Sequence, residues 1–365
     1  MAAVEYGVQV PALAKCFTTV RRQQPQAHKT EEHTTMNNNA RIVVLDGYTI
    51  NPGDNPWSPL EALGCCTVYD RTPPELKLER ARDAEIILLS KVKLDAAALN
   101  ALPNLKFISL LATGYNNVDV AAAGALGIPV SNIPAYSTES VAQTTFALLL
   151  ELAVNVAAHD AAVKAGEWIR CPDHSFCKTP ITELDGLTIG IVGYGTIGKA
   201  VARIASAFGM RVIAYAPRIP QDPGPVPVKF VPLEELFGAA DVVTLNCPQT
   251  PDNAGFVNAA LLGVMKPGAF LINVARGGLV NEGDLAQALR TGHIAGAALD
   301  VVAHEPMEAD NPLLSAPNCI ITPHIAWASL AARRRLMGIV AANVASFLGG
   351  SPINVVNGQS LAASN

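Results

Sequence analysis

From residue 41 onward the chain alternates between two patterns. Short apolar runs rich in β-branched residues lie at 41–45, 85–89, 106–110 and 128–132, and read as buried strands. Between them, 95–102 and 120–126 carry their apolar residues at helical spacing. Ser137 and Ser140 open a longer helix that runs to about His159 and is apolar on most faces, so burial is expected for it. A second series follows, with strands at 187–192, 211–215, 241–245, 269–274, 296–300 and 319–322 and helices at 197–208, 233–237, 258–265 and 282–291. The run 330–347 reads as a last helix, before a tail that contains Pro352 and ends polar. Alternation of this kind predicts right-handed βαβ units and parallel sheets, an α/β fold. Residues 41–137 together with 324–357 are expected to form one domain, and 138–323 a second. The crossings near 136–140 and 323–329 read as hinges.

Residues 1–40 break the pattern. The stretch 21–40 is polar, with almost no apolar periodicity, and cannot bury enough surface to offset its ordering entropy. A disordered leader is expected there. Arg21-Arg22 has no apolar run behind it, and Glu5, Glu31 and Glu32 disfavour an organelle transit peptide. Met36 stands just before the first strand and reads as the native start.

Composition narrows the classes. Half of the 365 residues are hydrophobic and 16% are charged, which suits two packed domains and argues against disorder. A net charge of −5 supplies no basic excess for a phosphate backbone, so nucleic acid is not an expected partner. The richest apolar window, 146–158, is interrupted by Glu151 and Asn155 and falls short of the ~18–20 residues a spanning helix needs, so no membrane is expected. The seven cysteines, at 16, 65, 66, 171, 177, 247 and 319, are odd in number and contain no CxxC. They suit free thiols in a reducing, cytoplasmic setting better than a disulfide framework or a zinc site.

Gly193-Tyr194-Gly195-Thr196-Ile197-Gly198 carries the spacing of a dinucleotide-binding turn, after a predicted strand and at the opening of a predicted helix. Gly193 permits the turn, Gly195 admits a pyrophosphate to the backbone, and Gly198 lets the helix pack closely; 138–323 is therefore read as a Rossmann-like dinucleotide-binding domain. The next strand ends in Ala216-Pro217-Arg218, where a carboxylate would otherwise bind the ribose 2′-hydroxyl of NAD. Ala216 removes the charge that would repel a 2′-phosphate, and Arg218 could pair with one, so NADP(H) is the expected cofactor. The alternative is NAD(H), with Arg218 a solvated loop charge and Asp222 a weaker ribose contact.

Three charged residues follow predicted strand ends, where ligands bind in open α/β sheets: Arg276, Glu305 and His324. Such a set suits reduction of a 2-oxo acid. Arg276 could bind the carboxylate bidentately and polarise the ketone, His324 could give the proton to its oxygen, and Glu305 could orient His324. Spacing alone does not make the three converge, and each could equally be structural or solvated.

Together these segments resemble the D-isomer-specific 2-hydroxyacid dehydrogenases. The resemblance runs from about Arg41 to Asn357 and rests on 193–198, Ile272-Asn273-Val274-Ala275-Arg276-Gly277-Gly278, Gly296-Ala297-Ala298-Leu299-Asp300 and Thr322-Pro323-His324-Ile325-Ala326-Trp327. It implies two Rossmann-like or flavodoxin-like domains flanking an active-site cleft, with Arg276, Glu305 and His324 catalytic. Within the family, Val43-Val44-Leu45-Asp46-Gly47-Tyr48-Thr49-Ile50-Asn51-Pro52-Gly53-Asp54 looks like the glycerate dehydrogenase/hydroxypyruvate reductase subgroup. The implied substrate is a small 2-oxo acid, hydroxypyruvate or glyoxylate, reduced to the D-2-hydroxy acid. Implied cofactor contacts are Thr113, Thr196, Ile197, Cys247, Pro248, Val274, Ala275, Ala326 and Asp300, the last at the nicotinamide end. The amides of Lys91, Val92 and Gly114 would cradle the substrate carboxylate. A homodimer is implied by the family alone.

Some positions depart from the pattern: Val302-Ala303 in place of Phe-Glu, Asn246 in place of histidine, and Gln143-Thr144 in place of Glu-His. They bear on pocket shape and substrate preference. Glu305 argues against formate dehydrogenase, which carries glutamine there. D-lactate and phosphoglycerate dehydrogenase remain alternatives, and a corepressor-like NAD(P) sensor is the alternative from another class.

Overall fold

The computed structural model describes residues 39–358. The expectations for the leader and for Met36 lie outside the described residues, except at its last two positions. There Ala40 is already packed, and its carbonyl accepts from the Cys65 amide.

Two all-parallel sheets organise the chain. The first holds β1 (Arg41–Val44), β2 (Cys65–Val68), β3 (Ile86–Leu89), β4 (Phe107–Leu110) and β5 (Val130–Ser131), in the order β2-β1-β3-β4-β5. The second holds β6 (Thr188–Val192), β7 (Arg211–Tyr215), β8 (Val228–Phe230), β9 (Val242–Leu245), β10 (Phe270–Asn273), β11 (Gly296–Leu299) and β12 (Cys319–Ile321), in the order β12-β11-β10-β9-β6-β7-β8. The central strands are buried along their whole length because helices cover both faces, which is why they appear in the sequence as continuous apolar runs. The order of the second sheet reverses between β6 and β9, and ligands of open α/β sheets bind at such a switch point.

The chain returns to the first sheet at its C-terminal end. The helix Leu330–Leu348 lays Leu336, Met337, Val340 and Val344 into one apolar cluster with Ile42, Ile86, Leu88 and Phe107. Phe347 stacks on Phe107 with ring centroids 4.5 Å apart. Val356 donates to the Val130 carbonyl at 2.8 Å. At the other crossing the Ser140 hydroxyl donates to the Ala326 carbonyl, and Arg335 Nε to that of Tyr136.

One expected element differs, and two strands are added. The helix expected to run from about 137 to His159 stops at Val154, because Asn155 takes a left-handed conformation (φ +53°), and a second helix, Val156–Lys164, starts there. β2 and β8 were not expected from the sequence. Both are edge strands with half-exposed faces, so they lack a continuous apolar run.

Candidate active site

The dinucleotide turn has the geometry its glycines require. Gly193 has φ +97°, and a β-carbon there would come within 2.7 Å of the Asn246 and Cys247 backbone at the end of β9. A β-carbon on Gly198 would overlap the Gly193 carbonyl. Gly195 instead faces open space and is the N-cap of the helix Thr196–Ala207, with no side chain capping its first turn. Unclaimed N–H groups at Thr196 and Ile197, at the positive end of a 12-residue helix, suit the phosphates of a dinucleotide. The backbone of Cys247, whose thiol is pushed up by burial, lies against this turn, and Pro248 follows it with its carbonyl accepting from Asn253 Nδ2 at 2.9 Å.

β7 ends at Tyr215, and Ala216 and Arg218 follow it. Arg218 is exposed and makes no ion pair or hydrogen bond with a described residue. The Asp222 carboxylate is occupied with the Gly224 amide of its own turn. The Thr113 hydroxyl donates to the Ile133 carbonyl at 2.7 Å, and the Ala326 amide to Asp300 at 2.8 Å, so neither group is a free donor. Val274 is buried, and the Ala275 amide is committed to Asn273 at 3.0 Å.

The three strand-end residues converge. β12 ends at Ile321, and the chain then turns so that His324 sits in the left-handed region at φ +55°. Asp300, 1% exposed at the end of β11, holds this turn. Its carboxylate accepts the Thr322 hydroxyl at 2.6 Å and the amides of Ile325 and Ala326 at 2.9 and 2.8 Å. Its carbonyl accepts the His324 amide at 2.8 Å. The Trp327 indole donates to the His324 carbonyl at 2.9 Å.

His324 Nδ1 lies 2.7 Å from Glu305 Oε2. A carboxylate only accepts, so Nδ1 carries the proton and Nε2 is left for a substrate. Burial pushes the Glu305 carboxyl up. The hydrogen bond and charge of His324, the Val302 amide and the Arg276 charge outweigh it and hold the group below its ordinary range.

Arg276 follows β10. Its carbonyl accepts from Asn273 Nδ2 at 2.8 Å, and its Nη1 donates to the Ala275 carbonyl at 2.7 Å. Its Nη2 sits 2.9 Å from where a Gly114 β-carbon would be, so the guanidinium spans from the second sheet to the end of β4 in the first. Gly277 packs so tightly on Val302 and Ala303 that any side chain there would overlap their backbone. The arginine loop and the glutamate loop are thus pressed together.

One expectation is corrected. The Lys91 and Val92 amides do not stand ready for a substrate carboxylate. Both donate to Asp46 Oδ2, at 2.6 and 2.9 Å, so an internal carboxylate already fills that cradle. Of the three expected substrate amides, only Gly114 keeps its place beside Arg276.

Sequence reasoning missed the supports of this site. Asp46 holds the 90–92 loop, Asn273 braces Arg276, and Glu282 accepts the Ala303 amide and Asn311 Nδ2 at 2.7 and 2.8 Å. Asp46 follows β1 as Arg276 follows β10, so the same strand-end criterion would have found it. Among the described residues no group of His, Cys, Asp and Glu is disposed to hold a metal. No single described helix is long and apolar enough to cross a membrane. The bent pair Thr138–Val154 and Val156–Lys164 passes by length and composition only.

Comparison with known proteins gives this geometry a context. Residues 146–326 match the family described as D-isomer specific 2-hydroxyacid dehydrogenase, NAD binding domain. The chain is 48% identical to the hydroxypyruvate reductase of Blautia hydrogenotrophica over 324 residues, which cover 87% of this chain and 99% of that protein. It is 42% identical to the glycerate dehydrogenase of Methylorubrum extorquens over 291 residues, 79% of this chain and 90% of that one. Its fold superposes with a TM-score of 0.75 and 32% identity on an NADPH-dependent glyoxylate/hydroxypyruvate reductase from Sinorhizobium meliloti in complex with NADP and malonate, covering 87% of this chain and 96% of that one. Similarity at this level, over nearly all of the described residues, places the chain in the D-isomer-specific 2-hydroxyacid dehydrogenases, the NAD(P)-dependent oxidoreductases of 2-hydroxy acids.

Proposed function

We propose that the protein reduces a small 2-oxo acid, hydroxypyruvate or glyoxylate, to D-glycerate or glycolate. The observation that carries this reading is the 2.7 Å contact between His324 and Glu305 beside Arg276. When bound at the 193–198 turn, the nicotinamide cofactor supplies the hydride that the ketone carbon accepts. Arg276 binds the substrate carboxylate and withdraws electron density from the ketone oxygen. His324 gives its Nε2 proton to that oxygen, and takes it back in the reverse direction. Glu305 keeps the ring oriented and stabilises its charged form, while Asp300 fixes the turn from which the ring projects. Closure about the crossings near 137 and 325 excludes water from the reacting atoms.

Residues 41–137 with 324–357 serve as the substrate domain and 138–323 as the dinucleotide-binding domain. NADP(H) is the preferred cofactor. Ala216 leaves the 2′-position without a repelling carboxylate, and Arg218 is free among the described residues to pair with a phosphate. We place the protein in the cytoplasm as a homodimer, with neither nucleic acid nor membrane as a partner. The apolar side chains of Val156, Trp168, Ile169 and Ile181, all more than half exposed, support burial of that segment against a second copy.

The test is steady-state reduction of hydroxypyruvate and of glyoxylate, each with NADPH and with NADH. Turnover of either acid, favouring NADPH by about tenfold in kcat/KM, supports the reading. Equal or NADH-favoured turnover removes the NADP preference and keeps the reaction. No turnover with either cofactor contradicts the proposed substrates.

A further inference from the structure

We propose that Asp46 is a positioning residue of the substrate site. It locks the 90–92 loop and, by filling that loop's amides with its own carboxylate, keeps the substrate carboxylate from binding there and leaves it to Arg276. The proposal rests on the functional reading above.

Asp46 follows β1 and is 1% exposed. Its Oδ1 accepts the Ser90 amide at 2.7 Å, and its Oδ2 accepts those of Lys91 and Val92 at 2.6 and 2.9 Å. Three successive amides converging on one carboxylate form an anion nest, and here the occupant belongs to the chain. A buried charge is tolerated only when bonded in this way. Removing it would leave three partly buried donors without their acceptor.

The opposite side of the same loop is held as well. Asn117 Nδ2 donates to the carbonyls of Ser90 and Val92, both at 3.1 Å. The Leu94 amide donates to the Asn117 carbonyl, and the Asp119 amide to that of Leu94, each at 2.9 Å. The 90–94 loop is therefore zipped to 113–119, the segment whose Gly114 abuts the Arg276 guanidinium. Asp46 thus acts at a distance. It fixes 90–92, Asn117 transmits that order to the segment containing Gly114, and the carboxylate pocket beside Arg276 keeps its shape. The negative charge behind the loop also repels a second carboxylate from those amides, so the substrate has one binding orientation.

The fingerprint turn and the His324–Glu305 pair follow strands of the other sheet, whereas the Asp46 carboxylate bonds to the 90–92 amides. Loss of Asp46 should therefore weaken substrate binding without slowing the chemical step. Asp46→Asn keeps the size and removes the charge, turning an N–H toward the loop amides. Asn117→Ala loosens the same loop from its other side and carries the test if the first variant fails to fold.

The experiment measures kcat and KM for hydroxypyruvate, KM for NADPH, and amide exchange of the 90–92 segment in wild type and both variants. We expect KM for hydroxypyruvate to rise about tenfold, kcat and KM for NADPH to stay within about threefold, and the 90–92 amides to exchange faster. An unchanged hydroxypyruvate KM in a folded variant overturns the proposal. So does a parallel loss in kcat and in both KM values, which marks a merely structural role. If wild type reduces no 2-oxo acid, the functional reading fails separately. Exchange then decides the loop claim by itself, and unaltered exchange at 90–92 overturns it.

Discussion

His324 Nδ1 and Glu305 Oε2 stand 2.7 Å apart although 19 residues separate them in the chain. Two turns make the contact. One follows β12 and is clamped by Asp300, and the other follows β11 and is bound to Glu282 through Ala303. The pair is therefore held from both sides before any ligand arrives.

Glu305 sits below its ordinary range in the folded protein, so it is ionised at neutral pH. Its contribution is complete above the ordinary carboxyl value of 4.5 and is lost as pH falls through the lower folded value. Glu305→Gln should lower kcat about 10²-fold at neutral pH, since the ring loses its orienting charge. The ratio of wild-type to variant rates should shrink only as pH falls through that lower folded value, because wild type then loses the same charge. A pH–rate profile of both proteins checks this, and a constant ratio contradicts it.

Gly277 tests the contact between the arginine and glutamate loops. A methyl group there overlaps the Val302 and Ala303 backbone, so one loop must move. Gly277→Ala should cut kcat/KM by about 10²-fold, the scale expected for displacing positioned groups by roughly an ångström. Steady-state kinetics on folded variant protein measures it. Near wild-type activity would mean that the loops need not be so close.

Ala216→Asp places a carboxylate where a 2′-phosphate would lie. It should lower kcat/KM with NADPH by about tenfold or more and spare or improve NADH, a shift of about 1.4 kcal/mol or more between the cofactors. Equal loss with both cofactors would argue against 216 as the discriminating position.

Arg333 joins the 50–55 loop to the segment just past His324. Its guanidinium, on a buried side chain, pairs with Asp54 and donates to the carbonyls of Ile50 and Ala328. The hydrogen bond and charge of Arg333 hold the Asp54 carboxyl below its ordinary 3.8 against a smaller opposing effect of burial. The stabilisation is therefore full above pH 3.8 and fades as pH falls through the folded value. Asp54→Asn should lower the Tm at neutral pH and narrow its gap from wild type in acid. Half of the Asp54 side chain is in water, so the effect is modest. Thermal melts across pH check it, and a gap that widens in acid contradicts it.

Much of this was legible in the sequence. The buried strands of both sheets appear as continuous apolar runs, and the turn at 193–198 is marked by its glycines. β2 and β8 were not legible because an edge strand buries only part of its surface. The break at Asn155 was hidden because apolar residues resume at Val156 and a single polar residue does not show that the backbone changes hand there. In the site, strand-end position pointed to Arg276 and His324, but convergence with Glu305 depends on the turn that Asp300 holds. The roles assigned to the Lys91 and Val92 amides failed for a related reason. A free amide and one filled by a distant aspartate look alike in sequence, and Asp46 is 45 positions from Lys91.

The most direct test of the account is hydroxypyruvate reduction by His324→Ala, with NADPH affinity measured in parallel. The account predicts a loss in kcat of about 10³-fold with NADPH binding unchanged, because the ring moves the proton and does not hold the cofactor. A variant that keeps wild-type kcat would show that the proton reaches the ketone oxygen from another group, and the assignment of His324 would fall.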